Sequence, residues 1–182
     1  MRIHDLPLPN AIRENIATFG IDELYPPQEE AFVKTGVLKG KNAVLASPTA
    51  SGKTLVAELC AMKHVLEGRG KVLYLTPLRA LASEKYREFQ KYEHLEGPGG
   101  RRVRIGISTG DLDSTDPWLA RYDVIVSTNE KADSLLRHRA PWMGDVSLVV
   151  ADEVHFINDA DRGPTLEVVL AQLMLVNPKA QI

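Results

Sequence analysis

Short apolar runs alternate with helix-like segments along the chain, and this alternation limits the possible folds more than any other feature. The runs consist almost entirely of Val, Ile, Leu and Ala, which is typical of strands covered on both faces. The predicted strands are Asn42–Ala46, Lys71–Leu75, Val103–Ile107, Val124–Ser127 and Ser147–Ala151. The predicted helices are Asn10–Phe19, Pro27–Thr35, Lys53–Glu67, Leu78–Tyr92, Glu130–Arg137 and Pro164–Val176. This order predicts an α/β fold, a doubly wound and mainly parallel sheet with helices on both faces.

The composition fits one folded domain over residues 1–182, with an N-terminal lead at 1–23. Hydrophobic residues make up 44% and charged residues 25%, which argues against disorder. No stretch approaches transmembrane length and no signal peptide is visible, so we expect a soluble cytoplasmic protein without a membrane partner. The single cysteine, Cys60, excludes an intramolecular disulfide. A formal net charge of −2 means that any nucleic-acid contact has to be local.

A phosphate-binding pattern lies between the first predicted strand and the helix that follows it. Its residues, all predicted to bind nucleotide, are Ser47, Pro48, Thr49, Ala50, Ser51, Gly52, Lys53 and Thr54. A helix N-terminus offers unpaired N–H groups and a positive dipole end to phosphates. Lys53 is expected to reach the β- and γ-phosphates, and the Thr54 hydroxyl to hold Mg²⁺. Ser47 and Ala50 replace frequent glycines, so the pattern alone also fits a chance Gly-Lys-Thr at a helix start.

Two acidic residues, Asp152 and Glu153, follow the last predicted strand. In a P-loop NTPase the first acid holds Mg²⁺ through water, and the second can polarise the attacking water as a general base. The alternative is an acidic helix start stabilised by the helix dipole. Because parallel strands end at one edge of the sheet, the acids are expected beside the phosphate loop. Lys53, Asp152 and Glu153 are therefore the predicted catalytic residues, with Thr54 and Asp152 as the Mg²⁺ site.

Five ordered motifs together resemble those of the superfamily 2 DExH-box helicases. They are Tyr25-Pro26-Pro27-Gln28, the phosphate loop, Thr76-Pro77-Leu78-Arg79-Ala80-Leu81-Ala82, Ser127-Thr128-Asn129-Glu130-Lys131 and Asp152-Glu153-Val154-His155. The combination is most similar to the Ski-like subgroup and, within it, to the archaeal Hjm-type DNA repair helicases. The resemblance spans Leu24 to Leu170, which is nearly the whole chain.

The resemblance implies a RecA-like P-loop NTPase domain that uses ATP and Mg²⁺ and moves 3′-to-5′ on DNA at stalled replication forks and branched DNA. Tyr25 and Gln28 would select adenine, since an amide offers both a donor and an acceptor to its edge. His155 would couple to a second lobe and has no relay partner within this chain. The residues expected to bind nucleic acid are Thr76, Arg79, Thr109, Gly110, Thr128 and Asn129.

We expect the chain to be the first motor lobe alone, truncated before motif III. The second RecA-like lobe and the DNA-gripping domains would be its partners, and the fragment would hydrolyse ATP weakly and bind single-stranded or branched DNA weakly. Three alternatives stay open: an RNA helicase lobe, a P-loop NTPase or kinase with a small substrate, and a lobe that binds nucleotide without catalysis. Gln28 and the acid pair followed by His155 count against the kinase. Phosphate contacts do not distinguish DNA from RNA.

Overall fold

The computed structural model describes residues 1–48, 51–110 and 112–182, so the predictions for Thr49 and Ala50 lie outside the described residues. Four parallel strands form one sheet in the order β2-β3-β1-β4. The strands are β1 (Lys71–Thr76), β2 (Ile105–Ser108), β3 (Val124–Thr128) and β4 (Val146–Ala151). The predicted parallel α/β architecture is confirmed.

Six α-helices are described, and they match the predicted helices to within a few residues at each end. They are α1 (Asn10–Thr18), α2 (Pro26–Thr35), α3 (Lys53–Leu66), α4 (Arg79–Phe89), α5 (Asn129–Arg137) and α6 (Gly163–Val176). Local sequence explains several ends. The Thr128 side chain caps α5 by accepting a hydrogen bond from the Lys131 N–H, and α2 ends at Gly36 in the left-handed conformation, with φ 74°.

The sheet is covered by helices on both faces, because alternate residues of each strand point to opposite sides. Val72 and Tyr74 of β1 belong to a core cluster with α1, α2, α3 and α4. Leu73 and Leu75 belong to a second cluster with α5 and α6. All four side chains are at most 1% exposed, so β1 is buried on both faces.

The N-terminal lead is part of this core. Its apolar side chains at Ile3, Leu6, Ile12 and Ile16 are buried in the first cluster. Arg2 also forms an isolated antiparallel bridge with Glu23. Residues 1–23 therefore wrap the same domain.

The predicted strand Asn42–Ala46 is wrong: the segment is irregular, and Val44 is 82% exposed. Strand formation requires a neighbouring ladder of hydrogen bonds. The neighbour here is Gln181–Ile182, which is tied to β4 through the bridge from Gln181 to Leu148. It supplies one backbone bond, from the Ala43 N–H to the Ile182 carbonyl at 3.0 Å. An apolar sequence without a paired neighbour does not become a buried strand.

Among the described residues, no helix has the length and apolar character needed to cross a membrane. Within the same residues, no group of three or more His, Cys, Asp and Glu side chains could hold a metal ion. Cys60 is buried, and burial raises the pKa of its thiol to about 12, which fits a packing role.

Candidate nucleotide site and strand-end rim

Residues of the phosphate loop contact one another at the start of α3. Lys53 is the first residue of that helix, and its Nζ donates to the carbonyls of Ser47 at 2.5 Å and Pro48 at 3.1 Å. The Ser47 and Ser51 hydroxyl oxygens lie 2.5 Å apart. Lys53 therefore lies over the loop backbone, half-buried, where a phosphate oxygen could replace the carbonyls as its partner.

Gln28 links the segment before α2 to the phosphate loop. Its Oε1 accepts from the Tyr25 N–H at 2.8 Å, and its Nε2 donates to the Gly52 carbonyl at 3.0 Å. Gly52 has φ 79°, and a Cβ added there would lie 2.1 Å from Gln28 Nε2. Only glycine fits this contact, because the site combines a left-handed backbone with no room for a side chain.

A cleft of about 1040 Å³ opens beside this contact. Tyr25, Gln28, Gly52 and Leu55 line one side, and the N-terminal lead lines the other with residues that include Arg13. Tyr25 is 63% exposed, whereas Gln28 is 3% exposed. The Gln28 amide still has one N–H and one lone pair beyond the two contacts above, which suits a purine edge. Selection of adenine stays a prediction, and the contribution of the lead was missed because its sequence carries no motif.

Asp152, the predicted Mg²⁺ ligand, follows β4 directly. The Tyr74 hydroxyl donates to its Oδ2 at 3.0 Å, and the Glu153 N–H donates to its Oδ1 at 2.9 Å. Burial, and then the Asp152 charge, raise the pKa of Tyr74, so its hydroxyl remains a neutral donor. Carboxylate lone pairs and the Thr54 hydroxyl are hard oxygen ligands of the kind that Mg²⁺ prefers. These residues therefore fit a magnesium site.

Glu153 has a left-handed backbone with φ 53°, which costs about 1–3 kcal/mol in a residue other than glycine. The short 3₁₀ turn Val154–Asn158 then brings His155 back toward it, and His155 Nδ1 lies 3.1 Å from Glu153 Oε2. Within the chain, His155 therefore contacts Glu153, whereas its coupling to a second lobe stays a prediction. The His155 side chain is still 70% exposed and free to meet another domain.

The six residues predicted to bind nucleic acid all lie on the strand-end rim, defined here as the carboxyl ends of β1, β2 and β3 and the residues that follow them. Thr76 and Thr128 are paired in the sheet register and buried. Arg79 is exposed at the first position of α4, and Gly110 is exposed after β2 beside half-buried Thr109. The rim thus consists of successive strand ends, and Arg79 is the one exposed cation among the six predicted residues.

Three of these six side chains are turned inward. The first is Thr76, which is 0% exposed and whose hydroxyl donates to the Leu78 carbonyl at 3.2 Å. The Thr128 hydroxyl accepts from the Lys131 N–H at 3.3 Å, so it is a helix cap. Asn129 is 1% exposed, and its Oδ1 has no hydrogen-bond partner among the described residues. Contact with nucleic acid at the start of α5 stays a prediction.

A buried ion pair that was not predicted lies behind the rim. Lys131 is 0% exposed, and its Nζ lies 3.1 Å from Asp116 Oδ2 and donates to the Ser114 carbonyl at 3.0 Å. The Ser108 hydroxyl donates to the same Asp116 oxygen at 2.6 Å. Burial acts to raise the pKa of Asp116, but the hydrogen bonds from Ser108, Ser114 and Lys131 outweigh it and hold that pKa below its ordinary value. The pair joins α5 to the end of β2 and the loop after it.

The model of the DEAD/DEAH box helicase family matches residues 25–182. A protein of Thermococcus kodakarensis, named ATP-dependent DNA helicase Hel308, is 56% identical over 182 residues, which are 100% of this chain and 15% of that protein. A protein of the same name from Methanocella arvoryzae is 52% identical over 183 residues, covering 100% of this chain and 24% of that protein. The chain therefore spans 15% to 24% of the length of these relatives.

Solved structures agree with this assignment. Mycobacterium smegmatis helicase Lhr bound to ssDNA and AMP-PNP superposes with a TM-score of 0.77 at 27% identity, over 96% of this chain and 24% of that one. DUF1998 helicase MrfA superposes with a TM-score of 0.77 at 26% identity, over 93% of this chain and 27% of that one. The predicted resemblance to superfamily 2 helicases is confirmed, and the chain belongs to the DEAD/DEAH box helicase family.

Proposed function

We propose that this chain is the ATP-binding motor lobe of an ATP-dependent 3′-to-5′ DNA helicase that acts on single-stranded and branched DNA, as at stalled replication forks. The observation that carries the proposal is identity of 56% over the whole chain to a protein named ATP-dependent DNA helicase. The site geometry supports it, because the phosphate loop, the acid pair and the rim belong to one small domain. The polarity and the fork substrate come from the motif resemblance.

Five residues have separate roles in binding ATP in this proposal. Lys53 exchanges its loop carbonyls for the β- and γ-phosphates, and Gln28 holds the base side of the loop in place through Gly52. Thr54 and Asp152 would hold Mg²⁺, which supplies charge neutralisation on the phosphates when it is bound. Tyr74 keeps Asp152 oriented.

Glu153 is the general base in this proposal. Its backbone strain and its contact with His155 fix a carboxylate next to the metal ligand, where it can take a proton from the attacking water. His155 remains exposed, so it could contact the second lobe and couple it to the Glu153 carboxylate. Such coupling would link hydrolysis to movement of the two lobes.

Nucleic acid would lie along the strand-end rim. Arg79 and the N-termini of α4 and α5 suit phosphate oxygens, and none of them reads a base. With about one or two cations in the row, we expect weak binding by the isolated lobe, near ~10⁻⁴ M. The partners would be single-stranded or branched DNA together with the second RecA-like lobe and further domains of the full-length protein.

DNA is favoured over RNA by the relatives named DNA helicases, and no observation favours a small-molecule kinase. The test uses the full-length protein. ATP hydrolysis is measured with and without single-stranded DNA or RNA, and unwinding is measured on forks with 3′ or 5′ tails. Hydrolysis stimulated by DNA and unwinding from the 3′ tail are expected.

Glu153→Gln is the diagnostic variant for the general base. It should bind nucleotide with Mg²⁺ as the wild type does and lose about 10²- to 10⁴-fold in hydrolysis. Equal turnover by variant and wild type would remove Glu153 from the role. Stimulation by RNA alone would instead favour the RNA helicase alternative.

A further inference from the structure

Lys85 is a buried cation that none of the motif assignments above gives a role. It lies on α4 and is 7% exposed. Its ammonium lies 2.9 Å from Glu88 Oε2, one turn away on the same helix, and 3.9 Å from Glu84 Oε1. It also donates to the Thr54 hydroxyl oxygen at 3.4 Å. The side chain thus carries a charge from α4 to the first turn of α3.

The Lys85 side chain keeps its positive charge although it is buried. Burial acts to lower its pKa, but the Glu88 hydrogen bond and the charges of Glu88 and Asp152 outweigh it and hold that pKa above its ordinary value. The Lys85 ammonium is in direct contact with the Thr54 hydroxyl. Thr54 and Asp152 are the two residues proposed above to hold Mg²⁺.

We propose that Lys85 is a positioning residue that sets how strongly Mg²⁺ improves nucleotide binding. This inference rests on the proposed nucleotide site. A fixed ammonium near Thr54 attracts the nucleotide phosphates when no metal is present and repels a divalent cation that enters beside them. Both effects narrow the difference in nucleotide affinity between metal-free and metal-bound states.

The competing explanation is a purely structural role, in which Lys85 only pairs with Glu88 along α4. Such a pair would support the helix without acting on the metal. The two explanations differ in one measurable quantity, which is the ratio of nucleotide dissociation constants without and with Mg²⁺. Structural damage raises both dissociation constants by a similar factor and leaves their ratio unchanged. Loss of the charge changes the ratio.

The experiment measures binding of N-methylanthraniloyl-ADP to the full-length protein, in EDTA and in saturating Mg²⁺. Lys85→Met keeps the length of the side chain and removes its charge. We expect weaker binding in EDTA and an increase of about fivefold in the ratio defined above. Lys85→Arg keeps the charge and should keep the wild-type ratio. Thermal melting of both variants reports on folding.

An unchanged ratio in folded Lys85→Met overturns the proposal. If that variant does not fold, Glu88→Gln takes its place: it leaves the lysine and removes a neighbouring negative charge, so the ratio should fall. A constant ratio in Glu88→Gln would equally contradict the proposal. Wild-type protein that binds no nucleotide at all would instead reject the proposed nucleotide site.

Discussion

Two lysines at the starts of two helices, Lys53 and Lys131, make opposite use of the same side chain. Lys53 begins α3 and is half-buried, with its ammonium on loop carbonyls. Lys131 lies in the first turn of α5, is 0% exposed, and pairs with Asp116. The first has partners that a phosphate can replace, and the second has a carboxylate that holds the domain together.

The contrast shows that a lysine after a strand end is not by itself a ligand-binding residue. Burial and the charge of its partner decide the role. Neutral carbonyls are exchanged at little cost, whereas a buried carboxylate that loses its cation is left with an uncompensated charge. The contacts of Lys53 can therefore be replaced by a ligand, as the proposed nucleotide site requires, whereas the pair of Lys131 with Asp116 has a structural role.

The largest effect should follow from loss of the buried pair. Lys131→Met should lower the free energy of unfolding by about 3–5 kcal/mol, because Asp116 stays buried without its ammonium. Urea unfolding of the chain measures this value. Arg137→Met is the matched control on the same helix, since the Arg137 side chain is 59% exposed and its pair with Asp133 should contribute no more than about 1 kcal/mol.

The pH dependence sharpens this prediction. The pKa of Asp116 is lowered in the folded state, so its contribution is fully present above about pH 4 and is lost as pH falls through the lowered pKa. The stability gap between wild type and Asp116→Asn should therefore shrink on acidification below about pH 4. A gap that stays constant down to acid unfolding would show that Asp116 acts by shape and not by charge.

A smaller effect is expected for Lys53, and it concerns nucleotide binding instead of folding. Lys53→Ala should weaken nucleotide binding by about 10- to 100-fold, as for one lost charge-assisted contact. Its melting temperature should stay close to that of the wild type, because only carbonyl contacts are removed. Calorimetric titration and thermal melting, run on the same samples, separate the two quantities. A destabilised Lys53→Ala with normal affinity would reverse the comparison.

The smallest effect concerns the base. Gln28→Ala should narrow the preference for ATP over GTP by about 0.5–1.5 kcal/mol, which is the net range for a typical hydrogen bond between neutral groups. Competition of ATP and GTP against a fluorescent nucleotide measures the gap. Glu30→Ala, on the exposed side of α2, is the control and should leave the gap unchanged. Wild-type protein without any preference for ATP would remove Gln28 from base selection.

The fold was predictable because the sheet is buried on both faces, so β1, β3 and β4 appear in the sequence as continuous apolar runs. Asn42–Ala46 has a similar composition, but it does not form a strand because its neighbour supplies only one backbone hydrogen bond.

Local motifs predicted Lys53, Asp152 and Glu153 as site residues. They could not locate Tyr74, whose partner Asp152 lies 78 residues away, nor the pairing of Lys131 with Asp116. A buried polar pair depends on distant segments meeting, and no spacing in the sequence records that.

Gly52 carries one more consequence, which concerns handedness. Its φ of 79° suits a D-amino acid, whose β-carbon occupies the other tetrahedral position on Cα and not the one that lies 2.1 Å from Gln28 Nε2. In a semisynthetic protein, D-alanine at position 52 should therefore be tolerated where L-alanine is not. Removing Gln28 as well would relieve the collision for L-alanine but not its backbone strain. Position 52 of the phosphate loop therefore excludes residues of L chirality, and glycine, which is achiral, is the genetically encoded residue that fits.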